Sequence, residues 1–270
     1  MQTPTIIVPI GLRGEAERVV PLAAAIADAT DASMEMVHVV SSLDAPPPQE
    51  RRRAWMEPLA EKYGASMTLV ENLSASAGLR DVIADQPDAV ICMGVDASGG
   101  ALDVLLGSIS EDILRSGHNR CFLIGPEVDA DVPVASGPVV VCVDGSDHAE
   151  SILEDAAAWA GSTGSTTWLV TVRGDGQLPP DLDETAYLHR LADHLETSDT
   201  EWEVLHGKDT ARAIVDFAEQ RGAGSIVMAT HGRSGLRRLT MGSVALQVVH
   251  RAQCPVLVRR PPMLSTIVTD

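Results

Sequence analysis

A loop with phosphate-loop-like spacing lies near the C-terminal end of this chain and recurs, altered, 135 residues upstream. The downstream copy, MATHGRSGLRRLTMGSVALQVVH, sets Ala229, two residues, Gly232, nine residues, then Gly242 and Ser243. The upstream copy, MGVDASGGALDVLLGSISEDIL, sets Gly94, two residues, Ala97, nine residues, then Gly107 and Ser108. Each copy follows a short apolar run and opens an amphipathic one. That order reads as strand, loop and helix start, a geometry in which backbone N–H groups can face an anion. A second register aligns IIVPIGLRGEAERVVPLAAAIA, from Ile6, with VVCVDGSDHAESILEDAAAWA, from Val140, at an offset of 133 to 134 residues. Repeats of this length are duplicated domains, whereas solenoid units run to about 20–50 residues.

Within each half, short apolar runs alternate with helical patterns. The first half places strands near 5–10, 34–40, 66–71, 88–94 and 121–125. The second half opens with a strand at Val139–Val143 and a helix carrying Ile152, Leu153, Ala156, Ala157 and Ala160 on one face, with Asp147 and Glu150 spaced as a capping box. A strand at 168–172, a helix through Leu188, Leu191 and Leu195, a strand at 201–207 and a helix over Thr210–Gln220 follow. The last units are a strand at 225–230, the loop, a helix from Ser243 and a strand at 255–260. Alternating β and α units imply an α/β fold of two tandem, open, five-stranded parallel sheets with helices on both faces. The expected division is 1–130 and 139–262, joined by the Pro/Gly-bearing linker 131–138 and followed by a tail at 263–270. The proline-rich 46–48 segment and Arg51–Arg53 read as a loop into a solvated helix start.

With 45% apolar residues, 270 residues suffice for one large core or two ordinary ones, and the repeat favours two. A net charge of −18 argues against nucleic acid or an anionic membrane as partner. Cys92, Cys121, Cys142 and Cys254 form no CxxC pair and sit in or beside apolar runs, the pattern of buried thiols in a reducing compartment. No apolar run approaches the ~20 residues that span a bilayer, so a soluble, cytoplasmic protein is expected. The eight histidines show no paired-ligand spacing, and no metal site is expected.

In open parallel sheets ligands sit at the C-terminal strand edge, which the 229–243 loop leaves. Gly232 and Gly242 allow positive φ and close backbone approach, Ser243 offers a hydroxyl, and the following helix brings its positive dipole end. Read singly, Ser243 is equally an ordinary N-cap, Gly242 an ordinary turn and His231 a loop residue. Asp144 either forms a turn or contacts a ligand. No Walker lysine follows the loop and no GxGxxG follows either first strand, so this is neither a P-loop nor a nicotinamide or flavin site.

MATHGRSG, the nine-residue spacing to Gly242–Ser243 and the terminal CPVLVRR together resemble the universal stress protein family, over both halves. The resemblance implies a tandem member with the adenine-nucleotide α-hydrolase-like, Rossmann-like fold. Asp144 matches the family's first-strand aspartate, and Val172 the position that lies against adenine. Ala229, Gly232, Gly242 and Ser243 fall on the G-x2-G-x9-G-[ST] signature, with Ala229 replacing its first glycine; Arg233 and Val244 complete the implied site. ATP or a related adenine nucleotide, with Mg²⁺, is the implied ligand. In the first half Gly94, Gly107 and Ser108 mark a weaker counterpart. There Gly11 stands in for Asp144, Ala97 for a glycine and Asp96 for His231, although Gly99 and Gly100 keep some loop character. Asp96 repels a triphosphate, whereas Arg233, Arg237 and Arg238 attract one. The halves are expected to pack as an intrachain pseudo-dimer through their final strands, with homodimerisation left open. The implied function is a stress-response regulator in which a nucleotide shifts conformation toward a protein partner, with hydrolysis slow at most and no catalytic residue assigned. The alternative is a nucleotide-free interaction or chaperone-like protein whose signature only ends strands and caps helices.

Overall fold

The fold comes from a computed structural model describing residues 4–11, 16–41, 49–95, 108–174, 183–195, 199–231 and 241–261. The strands are β1 (Thr5–Pro9), β2 (Ser33–Ser41), β3 (Ser66–Asn72), β4 (Val90–Gly94), β5 (Cys121–Ile124), β6 (Val139–Cys142), β7 (Thr167–Arg173), β8 (Thr200–His206), β9 (Ser225–Ala229) and β10 (Val256–Arg259). The helices are α1 (Ala16–Ala29), α2 (Gln49–Tyr63), α3 (Ala75–Ala84), α4 (Ser108–Ser116), α5 (Asp147–Glu150), α6 (Leu153–Thr163), α7 (Glu184–His194), α8 (Thr210–Arg221) and α9 (Ser243–Arg251).

The strands run β3-β2-β1-β4-β5-β10-β9-β6-β7-β8 in one ten-stranded sheet. This order is the same five-strand sequence read forward and then back. Every pair is parallel except β5–β10, whose register is Val256 to Leu123, Leu257 to Phe122 and Val258 to Cys121. The α/β fold class is as expected, and the two five-stranded sheets are joined edge to edge through the final strands. Central strands such as β4, β5, β6 and β9 are buried nearly throughout, as runs of Val, Ile and Cys must be when helices cover both faces. The outer strand β8 alternates, putting Glu201 and Glu203 into solvent, a charge pattern that discourages further pairing.

The expectation of one core per half is corrected. There are two apolar layers, one on each sheet face, and both cross the seam. The first joins Val20 and Ile26 of α1 with Met56 of α2, Phe122, Trp159 of α6 and Leu188 of α7. The second joins Leu79, Ile113 and Leu123 with Ile214 of α8 and Val248 of α9. Phe122 meets Trp159 edge to face with ring centroids 5.0 Å apart, and Trp159 Nε1 donates to Ser225 Oγ at 2.9 Å. Burying one continuous layer removes more apolar surface from water than two separate halves could.

The 131–138 stretch is a packed turn. Val134 is buried, Gly137 N donates to Pro133 O at 3.0 Å, and Gly224 N donates to Pro138 O at 2.9 Å. A Cβ on Gly137 would lie 2.4 Å from Gly224 N, so that position needs glycine.

Asp155 of α6 is held by two arginines, one from each half. Arg259 Nη1 donates to Asp155 Oδ2 at 2.8 Å, and Arg120 Nε lies 3.9 Å from Asp155 Oδ1. Burial raises the Asp155 pKa, and the two arginines offset that only in part. A carboxyl whose folded pKa is raised holds its proton longer when folded, so stability falls as pH climbs from the ordinary value of 3.8 through the raised one. Asp155→Asn is therefore expected to match the parent below that window and to equal or exceed it above. Urea titrations across the pH series read this directly. A parent that gains on the variant as pH rises would mean that Arg259 and Arg120 outweigh burial.

Candidate functional site

Two strand-to-helix connections, one after β6 and one after β9, frame the site. Val143 N still donates to Val170 O at 3.0 Å, and the chain then turns sharply through Gly145, whose φ is +78°. Asp144 Oδ1 accepts from Ser146 N at 3.1 Å and from Ser146 Oγ at 2.6 Å. Ser146 Oγ accepts from Ala149 N at 3.2 Å, which makes Ser146 the N-cap of α5. The Asp147–Glu150 capping box is thus corrected. Ser146 has the extended backbone a cap requires, and Asp147 already lies inside the helix. The expected single helix is also divided into α5 and α6.

Sequence reasoning missed Tyr187. Its ring is buried on α7, and its Oη accepts from Gly145 N at 3.1 Å. Burial, then the neighbouring carboxylates of Glu150 and Asp144, raise its hydroxyl pKa, so it stays protonated. Tyr187 therefore pins the turn that presents Asp144. The fourth position of a helix of moderate amphipathicity gives no sign of this, because the contact spans 42 residues.

After β9, Thr230 N donates to Arg259 O at 3.0 Å, and Thr230 O accepts from Gly242 N at 2.8 Å. Thr230 Oγ1 and His231 Nδ1 are 3.0 Å apart, both residues being buried. Gly242 is the N-cap of α9 with φ −67°, so the expected positive φ there is not used. Close approach favours glycine instead, since a Cβ would lie 3.2 Å from Thr230 O. Ser243 is not the cap: it is the first helical residue, exposed, with no capping bond made by a side chain at that end. Ala229 sits in extended strand paired with Arg259, a backbone that accepts its methyl group without strain.

Between these connections lies a cavity of about 290 Å³. Of the expected residues, Asp144, Val172, Ala229, Gly242, Ser243 and Val244 line it. Val170, Ile214 and Met228 add an apolar floor, and Thr210, Thr230 and His231 add polar atoms. Thr210 and Ile214 were missed because α8 reaches the site only through the crossover. Asp209 caps α8 at Arg212 N (3.0 Å) and pairs with Arg251 Nη1 (2.7 Å) at the end of α9, which holds the two lining helices together. Arg251 keeps the Asp209 pKa below the ordinary value. Gly232, Arg233, Arg237 and Arg238 lie outside the described residues.

In the first half, Gly94 ends β4 and Ser108 opens α4, exposed. Gly107, Asp96, Ala97, Gly99 and Gly100 lie outside the described residues. All four cysteines are free and buried, and burial pushes the Cys121 and Cys254 thiols up to about 12, which leaves them unreactive. Among the described residues, no group of three or more His, Cys, Asp or Glu side chains is placed to hold a metal ion, and no helix is long and apolar enough to cross a membrane.

The profile of the "Universal stress protein family" matches residues 136–260. A universal stress protein from Methanocaldococcus jannaschii is 50% identical over 60 residues, covering 22% of this chain and 35% of that one. One from Mycobacterium tuberculosis is 27% identical over 194 residues, covering 64% of this chain and 59% of the relative. The chain therefore spans less than two thirds of these relatives' lengths. A crystal structure of a universal stress protein from Archaeoglobus fulgidus superposes with a TM-score of 0.74 at 18% identity, covering 96% of this chain and 99% of that one, which establishes a shared fold.

Proposed function

The chain belongs to the universal stress protein family, and on that premise we propose that its second half binds ATP or a related adenine nucleotide as a regulatory ligand. The observation that carries this reading is the cavity at the strand ends, where six of the residues expected from the family resemblance converge. Its apolar floor suits a purine: Val172, Val170 and Met228 offer a flat, dry surface, and transfer of apolar area from water drives the base in. Asp144 stands at the rim to accept from ribose hydroxyls, its Oδ1 also holding the turn. The α9 N-terminus, with Ser243 and Val244 at its first positions, presents backbone N–H groups and the positive dipole end to phosphates. Arg233 supplies positive charge from the loop, and Mg²⁺ can accompany the phosphates. Binding outweighs turnover in this reading, because no lysine or dedicated general base accompanies the phosphate end.

A nucleotide held there bridges the β6–α5 turn to α9, whose far end packs against the first half. Binding thereby shifts the population of seam conformations and alters what a protein partner meets. The first half, with Gly11 at the Asp144 position, acts as structural partner in a pseudo-dimer. Calorimetric titration of the full chain with ATP–Mg²⁺, ADP, AMP and cyclic AMP tests the reading. Saturable binding of at least one at one site per chain is expected. No heat and no thermal shift with any of them would leave the nucleotide-free interaction protein standing.

A further inference from the structure

A second cavity, of about 230 Å³, opens at the N-terminal ends of the strands in the first half. It lies where α1 and α2 end and β2 and β3 begin. Ala24, Ala27 and Asp28 line it from α1, Tyr63 and Gly64 from the end of α2, and Met34 from β2. The last carbonyls of both helices are gathered beside it: Ala32 N donates to Ala27 O at 2.9 Å, and Ala65 N to Ala60 O at 2.9 Å. Two helices thus turn the negative ends of their dipoles toward one cavity.

Helix C-termini favour cations, and α2 follows the rule with Lys62 in its last turn. The last turn of α1 has no basic residue and carries Asp28 instead. The repeat shows that the fold does not require this carboxylate. Thr30 and Thr163 occupy the same place, their hydroxyls donating four residues back, to Ile26 O at 2.8 Å and Trp159 O at 3.2 Å. Asp28 therefore corresponds to Gly161 of α6. Its carboxylate makes no ion pair or hydrogen bond among the described residues. On the α2 side, the Tyr63 ring already receives an ammonium, with Lys62 Nζ 4.8 Å from its centroid. A carboxylate, an aromatic face, two helix C-termini and an apolar floor together favour a cation with a hydrocarbon body. A bare metal ion fits poorly, because hard cations need about six or more oxygens. Among the described residues, no three His, Cys, Asp or Glu side chains are grouped to hold one. The volume falls below the ~300–1,000 Å³ of drug-sized pockets, so the ligand is small.

We propose that this cavity binds a small organic cation of the alkylammonium class. The charged head sits between the Asp28 carboxylate and the Tyr63 ring, and the chain lies on Ala24, Ala27 and Met34. The head meets opposite charge and the ring quadrupole, while the chain leaves water. It also offsets the unfavourable charge of Asp28 at the end of α1. The site shares no lining residue with the cavity proposed for the nucleotide and does not rest on that reading.

Ligand-observed NMR titration of the full chain with n-butylammonium chloride, at ionic strength held constant with sodium chloride, tests this. Saturable binding is expected, with 1-butanol, the uncharged analogue, binding more weakly. Asp28→Asn is expected to weaken ammonium binding by about 5-fold or more, and Tyr63→Leu by about 3-fold or more. Asp28→Asn removes one charge from a net of −18, so diffuse attraction to an acidic chain would barely change. The same variant is expected to melt no lower than the parent, so its loss reads binding rather than folding. Lys62→Met, which removes the competing ammonium, and Val172→Trp, which blocks the second-half cavity, are expected not to weaken binding. Absence of saturable binding overturns the proposal, as does butanol binding as tightly as the ammonium. An affinity that survives both Asp28→Asn and Tyr63→Leu, or is lost with Lys62→Met or Val172→Trp, places the ligand elsewhere and likewise overturns it.

Discussion

Gly125→Ala is expected to lower the melting temperature by roughly 6–12 °C. Gly125 follows β5, and a Cβ built there would lie 2.0 Å from the Val249 carbonyl oxygen of α9. No side-chain rotation relieves a contact between backbone and Cβ. Either α9 or the β5 end must move, and both belong to the layers that cross the seam. Overpacking typically costs about 1–3 kcal/mol, and a contact this short belongs at or above the upper end; at ~2–4 °C per kcal/mol for a chain of this size, the stated range follows. Because α9 starts at the cavity proposed to hold the nucleotide, the same substitution is expected to weaken nucleotide binding. Differential scanning calorimetry gives the first quantity. A variant melting within ~2 °C of the parent would mean that α9 does not rest on Gly125.

Val172→Trp is expected to weaken adenine-nucleotide binding by about 100-fold or more, equivalent to roughly 2.7 kcal/mol. Val172 stands near the C-terminal end of β7 and faces the cavity, where an indole occupies the space a purine would take. The companion Val172→Ala enlarges the same floor and removes a little apolar contact, so its loss is expected to stay below ~10-fold. Titration calorimetry with the best-bound nucleotide measures both. Equal affinity in parent and Val172→Trp would place the base elsewhere and sink the assignment of this cavity.

The strands were legible because central parallel strands are short, β-branched-rich apolar runs set between turn residues, too brief for helices. Val139–Cys142 and Ser225–Ala229 are examples, each buried throughout. The helix after Asp144 was harder. Serine, aspartate and glutamate crowd its start, and only backbone geometry shows that Ser146 caps it and that the helix divides before Leu153. At the site, Asp144, Val172, Ala229, Gly242, Ser243 and Val244 were legible from spacing and family resemblance. Tyr187, Thr210 and Ile214 were not, because they arrive from helices whose local patterns record only that one face is buried.

By itself, the sequence determined the two-fold repeat of alternating strands and helices, the places where loops leave the strand ends, and which half carries the first-strand aspartate. These are local properties, written in hydrophobic period and in glycine and aspartate positions. Only the tertiary structure decided that the halves fuse through one antiparallel pair, β5 with β10, so that both apolar layers run across the seam. It also decided that Arg52 is buried while Arg51 and Arg53 are not. Both depend on which surfaces meet, and burial is set by contacts between residues far apart in the chain, which no local pattern encodes.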